Sequence, residues 1–254
     1  MHSLTDEDKE HLQKGSDGIR HMFYNGIYNT PDEAARNAVQ LADNDHEPLY
    51  FTVFPQAKDW EVELGVAAYQ KLLEGNSWGL SNSTKKFQNT MYLYGNTGLH
   101  IDAHSRGSST VGNGLHDFEK RGIHGIGQKT DIYLFGPAYN SLSMANTLYI
   151  VSDGKKDHVY LQNHLLDPIG TGFGGNPPTT YKVPFNPFYL LFPPALPLRE
   201  QGGAIFGSDP STHNCYGNAS KECIGRYGTP HTLPIYSVYS ILDNLDLGYL
   251  WRKK

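Results

Sequence analysis

The sequence predicts an α/β fold in which a mostly parallel central sheet carries helices on both faces. Three observations predict it. Strand-like segments alternate with amphipathic ones from residue 18 to about residue 153. The chain of 254 residues, 38% hydrophobic, is long enough for one large core, and no long linker divides it. The stretch LHIDAHSRGSSTVGNGL, Leu99 to Leu115, passes from an apolar strand through a single serine directly into small residues that open a helix.

The elements follow in chain order. Residues 1–17 form a polar N-terminal extension, read as a short helix. Gly18 to Asn29 reads as a strand ending in a turn at Asn25-Gly26. At Thr30-Pro31-Asp32-Glu33, Thr30 can cap, Pro31 suits the first helical position and Glu33 completes a capping pattern. The helix AARNAVQLA follows at helical spacing. Glu47 to Pro55 is a strand rich in aromatic and β-branched residues. Lys58 to Gly75 is an amphipathic helix with a glycine stop, and a further helix is expected around Thr84 to Leu93. LHIDA is a short strand and Arg106 to Lys120 a helix. Thr130 to Ala138 and Asn146 to Asp153 (NTLYIVSD) read as two more strands. The segment Pro168 to Pro197 is too broken by glycine and proline for regular structure, so one domain, 18–254, is expected to carry an irregular insertion at about 168–200. Pro234 to Leu247 resumes a helical or strand-then-helix pattern.

Composition excludes several function classes. The formal charge is −5 and the cations are scattered, apart from Arg252-Lys253-Lys254 at the end, so no nucleic-acid footprint is expected. No apolar run of membrane-spanning length occurs. The start, MHSLTDEDKEHLQKGSDG, is polar and charged, unlike a signal peptide. Cys215 and Cys223 lie in the loop HNCYGNASKEC. A local disulfide there fits an exported protein, and two free loop thiols fit nearly as well. His213 and the two cysteines fall short of a structural zinc set, so neither metal nor cofactor is expected.

Ser105 is the centre of the chemistry. A nucleophilic serine needs its hydroxyl lifted clear of the backbone, beside a base and facing oxyanion donors. A strand, tight turn and helix accomplish this, with small neighbours because bulky ones collide at the strained turn. Here the turn is Ala103-His104-Ser105-Arg106-Gly107, with alanine in the first small position. Ser108, Ser109 and Gly112 keep the following helix face small. The unpaired N–H groups at the helix start favour negative charge, and the N–H of Arg106 is the first candidate oxyanion donor. A bland alternative is a serine that merely caps a helix.

This stretch resembles the nucleophile elbow of α/β-hydrolases. More narrowly, it is similar to serine-hydrolase-like segments near the C-termini of large bacterial filamentous-haemagglutinin and contact-dependent-inhibition proteins, and of lipase-like effectors. FYNGIYNTPDEAARNA (Phe23 to Ala38), DPIGTGFGGNPPT (Asp167 to Thr179) and HNCYG (His213 to Gly217) match the same group. The resemblance implies an α/β-hydrolase-like fold over most of residues 18–240. It also implies a secreted or cell-delivered antibacterial effector with a lipase or phospholipase activity and a cognate immunity protein.

The hydrolase chain order is nucleophile, acid, histidine. His116 and His124 precede any suitable acid, while His158 and His164 flank the late strand. His213 and His231 have enough chain before them, and the resemblance points to His213, whose loop a Cys215–Cys223 bridge would stiffen. For the acid, Asp153 has the better immediate strand context, Asp157 is a further candidate, and the resemblance points to Asp167. Each is also an ordinary turn residue. The second oxyanion donor is expected at Asn25-Gly26-Ile27, where Gly26 and Ile27 end the first strand and a glycine admits close approach.

Such a triad predicts acyl transfer to water. The apolar, proline-stiffened stretch Phe185 to Leu198, with Phe188, Tyr189 and Leu190 at its centre, reads as a lining for an acyl chain or as a lid in peripheral contact with a membrane. It also reads, with somewhat more weight, as a proline-rich core loop packed over the sheet. A non-lipid esterase or peptidase, or a non-catalytic hydrolase-like module for delivery or binding, are the alternatives.

Overall fold

In the computed structural model the residues described are 11–26, 31–42, 48–52, 82–182, 211–247 and 250. Their strands are β1 (Arg20–Tyr24), β2 (Leu49–Thr52), β3 (Leu99–His104), β4 (Thr130–Phe135), β5 (His158–Gln162) and β6 (Leu233–Tyr236). They form one sheet in the order β2-β1-β3-β4-β5-β6. All neighbours pair in parallel except β5 with β6, which are antiparallel. Pro234 cannot donate to a ladder, and β6 is an edge strand, where that loss is tolerated.

The helices are α1 (Pro31–Leu41), α2 (Asn82–Tyr94), α3 (Arg106–Lys120), α4 (Ser141–Val151), α5 (Ser220–Tyr227) and α6 (Val238–Asn244). Phe87, Met91 and Tyr94 of α2, Val111, Leu115 and Phe118 of α3, and Met144, Leu148 and Val151 of α4 repeat one helical spacing and are buried in one cluster. They cover the sheet face bearing Met22, Tyr24, Leu99, Ile101, Ile132, Leu134, Val159 and Leu161. Strand alternation turns Phe23 and Phe135 to the opposite face, where Ala38 and Leu41 of α1 and Tyr216 pack on them. The central strands are therefore covered on both sides, as their apolar content requires.

Strand order reverses between β1 and β3, because β2 lies beyond β1 on one side and β4 beyond β3 on the other. A crevice at the carboxyl ends of the strands flanking such a switch point is the usual ligand position in these sheets. Asn25 and Gly26 follow one of these strands and Ser105 the other.

Three expectations are corrected. NTLYIVSD is not a strand: residues 146–151 belong to α4, which Asn140 caps by accepting from the Ser143 N–H at 3.0 Å. The β-branched tail of that run is the last turn of a helix whose apolar positions begin earlier, at Met144 and Ala145. Residues 11–17 are loop and turn rather than helix, and Leu12 is buried in the main core with its N–H on the Tyr94 hydroxyl at 3.0 Å. Within the expected irregular insertion, Pro168–Phe173 form one π-helical turn. The helix expected at 58–75, the Thr30 cap and the stretch Phe185 to Leu198 lie outside the described residues.

Candidate active site

Ser105 stands between β3 and α3 with φ 51° and ψ −125°, a conformation a side chain rarely adopts. The surroundings hold it there. Its N–H donates to the Phe135 carbonyl at 3.1 Å, and its own carbonyl accepts from the N–H groups of Ser108 at 3.1 Å and Ala138 at 3.2 Å. The Ser108 hydroxyl donates to the same carbonyl at 2.6 Å and accepts from the Tyr139 N–H at 3.0 Å. A side chain on Gly107 would bring its Cβ within 1.9 Å of the Tyr24 carbonyl oxygen, so only glycine allows α3 to start this close to β1. Gly112 serves less the sheet than the Tyr139 ring, which lies 2.4 Å from where its Cβ would stand.

Asp167 follows β5 and opens the π-helical turn. Its Oδ1 accepts from the N–H groups of Ile169 at 2.8 Å and Gly170 at 2.9 Å. His213 donates from Nδ1 to this carboxylate, 2.9 Å from each oxygen, and the Tyr216 hydroxyl donates to Oδ2 at 2.5 Å. Burial alone pushes the Asp167 carboxyl up. The His213 ring, the Tyr216 hydroxyl and the Gly170 N–H outweigh it and hold the carboxyl below its ordinary value. Tyr216, itself buried beside that carboxylate, is pushed well above the ordinary phenol value and stays a donor. The two loops are tied together where Thr212 Oγ1 donates to the Leu166 carbonyl at 3.1 Å. Cys215 and Cys223 form a disulfide that joins the His213 loop to α5.

With Nδ1 committed to Asp167, Nε2 is the His213 nitrogen left for a proton from a serine. The His213 ring lies against that of His104, the neighbour of Ser105, with centroids 4.6 Å apart. Gly136 packs between the strands' ends, and a Cβ there would lie 2.3 Å from Asp167 Oδ2 and 3.1 Å from His213 Nδ1. Among the described residues no hydrogen bond joins Ser105 Oγ to the His213 ring, and Ser105 is 4% exposed. The serine is thus less open than a lifted nucleophile requires. In unliganded hydrolases the nucleophile–base contact is often long and tightens with substrate.

Of the expected oxyanion residues, Gly26 donates its N–H to Asn25 Oδ1 at 3.0 Å. A Cβ on Gly26 would lie 3.2 Å from Ser105 Cβ, so this glycine stands directly against the serine. Arg106 is the first residue of α3, next to Ser105. Ile27 and the candidate substrate residues Phe188, Tyr189 and Leu190 lie outside the described residues. No protein-family model, curated protein or solved structure matches the chain. The competing candidates lie elsewhere. Asp153 occupies a left-handed turn after α4, Asp157 pairs with His158 at 2.6 Å, and His231 is exposed. Among the described residues no cluster of three or more His, Cys, Asp or Glu is arranged to hold a metal, and no helix is long and apolar enough to cross a membrane.

Sequence reasoning missed Tyr216, His104 and Gly136. The first two sit within quoted motifs, HNCYG and AHSRG, but a tyrosine or histidine in a loop carries no spacing signal of its own. Gly136 has φ 48° and directly follows β4 in FGP, where a glycine-proline pair reads only as a turn.

Proposed function

We propose that the chain is a serine hydrolase that cleaves ester bonds with Ser105 as nucleophile, His213 as base and Asp167 as its orienting acid. The observation that supports this reading most is the Asp167–His213 pair, whose imidazole packs on His104, the neighbour of a serine held at φ 51°. In this reading His213 Nε2 takes the Ser105 proton as Oγ attacks the ester carbonyl. The N–H of Arg106 receives the oxyanion, and His213 returns the proton to the leaving alcohol. Water then repeats the sequence on the acyl-enzyme.

The substrate side rests on sequence. The apolar stretch Phe185 to Leu198 and the likeness to effector segments favour a long-chain lipid ester, cleaved by a delivered antibacterial lipase or phospholipase whose own host carries an immunity protein. One observation favours a second reading, a non-catalytic hydrolase-like module: the low exposure of Ser105.

Labelling with a fluorophosphonate probe, followed by mapping of the modified residue, separates the two. Ser105 Oγ forms a bond to phosphorus, fluoride leaves, and the hydroxyl proton passes to His213. Modification at Ser105, lost in Ser105→Ala, is the expected result. An unmodified chain, or modification elsewhere that persists in Ser105→Ala, rejects the enzyme reading. Hydrolysis of p-nitrophenyl esters that rises with acyl length supports the lipid assignment, and a preference for acetate rejects it.

A further inference from the structure

His104 is unused by the mechanism above, yet it is in direct contact with the base. Its Nε2 donates to the backbone carbonyl of His213 at 2.9 Å, which makes Nε2 the protonated nitrogen. Its ring lies against the His213 ring at 4.6 Å between centroids and 35° between planes. Its other nitrogen, Nδ1, is buried against Gly26 with no hydrogen-bond partner among the described residues. One side chain therefore grips the base twice, once through the backbone of its loop and once through its ring.

We propose that His104 is a positioning residue for the base: a neutral aromatic platform that fixes the His213 ring and favours the imidazolium formed on it when Ser105 is deprotonated. This rests on the hydrolase reading. The physical argument is differential. A neutral ring face attracts a cation within about 6 Å of its centroid, and more strongly where water is excluded. The attraction exists only once His213 carries the Ser105 proton, so it acts on the transition state and the intermediates rather than on the resting enzyme. The platform must stay uncharged for this to work. Burial first, and the facing His213 second, push His104 down to about 3, although the His213 carbonyl and Asp167 oppose the shift. The charged and titratable groups that face it are therefore His213 and Asp167, with the Tyr216 ring 6.5 Å away. A ring that never ionises at working pH cannot repel the imidazolium beside it.

Three substitutions dissect the two grips. His104→Phe keeps a neutral ring and loses the donor. His104→Leu keeps approximate volume and loses the ring face. His104→Gln keeps a donor and loses the ring. The second-order rate of Ser105 modification by the fluorophosphonate is expected to fall about tenfold in the Leu and Gln variants and to stay within about threefold of wild type in the Phe variant, the order of magnitude for one desolvated ring–cation contact. With an ester substrate the loss is expected in kcat, with KM little changed. Thermal melting identifies any variant that fails to fold, and the remaining variants then decide. Leu and Gln variants that react at the wild-type rate overturn the proposal, as does a Phe variant as slow as the Leu variant. A second readout does not need turnover. The proton on His213 Nδ1, bonded to Asp167, is expected as a low-field proton resonance that exchange broadens in the Leu variant and leaves sharp in the Phe variant. Failure of wild type to label sinks the hydrolase reading, whereas an intact label with unchanged variants sinks the platform alone.

Discussion

Tyr216 donates its hydroxyl to Asp167 Oδ2 at 2.5 Å, and also receives the His164 N–H at 3.0 Å. The phenol thus joins the acid of the proposed triad to the chain just beyond β5. Tyr216→Phe leaves one buried carboxylate oxygen short of a donor, at a cost of about 1–3 kcal/mol. The expected outcome is a lower melting temperature together with slower labelling of Ser105, read by calorimetry and by the fluorophosphonate rate. A variant with wild-type labelling assigns Tyr216 to packing only.

The backbone of Ser105 stores strain. Ser105→Gly removes the Cβ that makes φ 51° unfavourable, and is expected to stabilise the fold by about 1 kcal/mol while abolishing labelling. Ser105→Ala abolishes labelling without relieving that strain. Denaturant melts of the pair measure the difference directly, and equal midpoints argue that the turn is relaxed.

Gly107 and Gly172 form a matched contrast. Gly107→Ala drives a Cβ into the Tyr24 carbonyl, and is expected to cost more than about 3 kcal/mol or to prevent folding. A Cβ on Gly172 meets nothing within 4 Å, so Gly172→Ala is expected to fall within about 0.5 kcal/mol of wild type. Soluble yield and urea midpoints check both.

His104 makes folding acid-sensitive. Folded, it is held down to about 3, whereas its ordinary value is 6.5. Between these values the unfolded chain takes up a proton that the folded chain refuses, so stability falls as pH falls below about 6.5. The slope is about 1.4 kcal/mol per pH unit for this one group. Asp167 acts only at lower pH: its carboxyl is held below 3.8, so the stability it contributes is full above that value and is lost as pH drops through the folded one. Urea melts between pH 7 and pH 5 are expected to show the histidine slope, shallower in His104→Phe.

The Cys215–Cys223 bridge closes a short loop next to His213 and Tyr216. In the chain-entropy picture a loop of this size contributes about 2.5 kcal/mol. Both half-cystines are buried with Tyr227, so mild reductant is expected to act slowly. The Cys215→Ser, Cys223→Ser double variant is expected to melt lower and to label more slowly. An unchanged labelling rate shows that the remaining ties, Thr212 to Leu166, His213 to Asp167 and His104 to the His213 carbonyl, hold the base without the bridge.

Local signals were legible because they act over a few residues. Proline at the first position of α1 and the small residues that open α3 each specify their own neighbourhood. The exchange of helix α4 for an expected strand shows where this fails. LYIV has strand propensity, but Asn140, ahead of that run, caps the helix that contains it, and burial of Met144, Leu148 and Val151 on one face decides the conformation. The choice among Asp153, Asp157 and Asp167 is open to the sequence for a similar reason: Asp153 and Asp167 come after apolar runs, Asp157 comes after two lysines, and no local pattern says which loop ends at the strand tips.

The sequence by itself determined the α/β class, the elbow around Ser105 and its need for Gly107, since all three depend on period, chirality and the sterics of adjacent residues. The tertiary structure alone decided that Asp167 and His213, 46 positions apart, share a hydrogen bond, and that His104 and Tyr216 brace them. Those contacts arise from parallel strands that deliver distant loops to one edge of the sheet, a relation that no short-range pattern encodes.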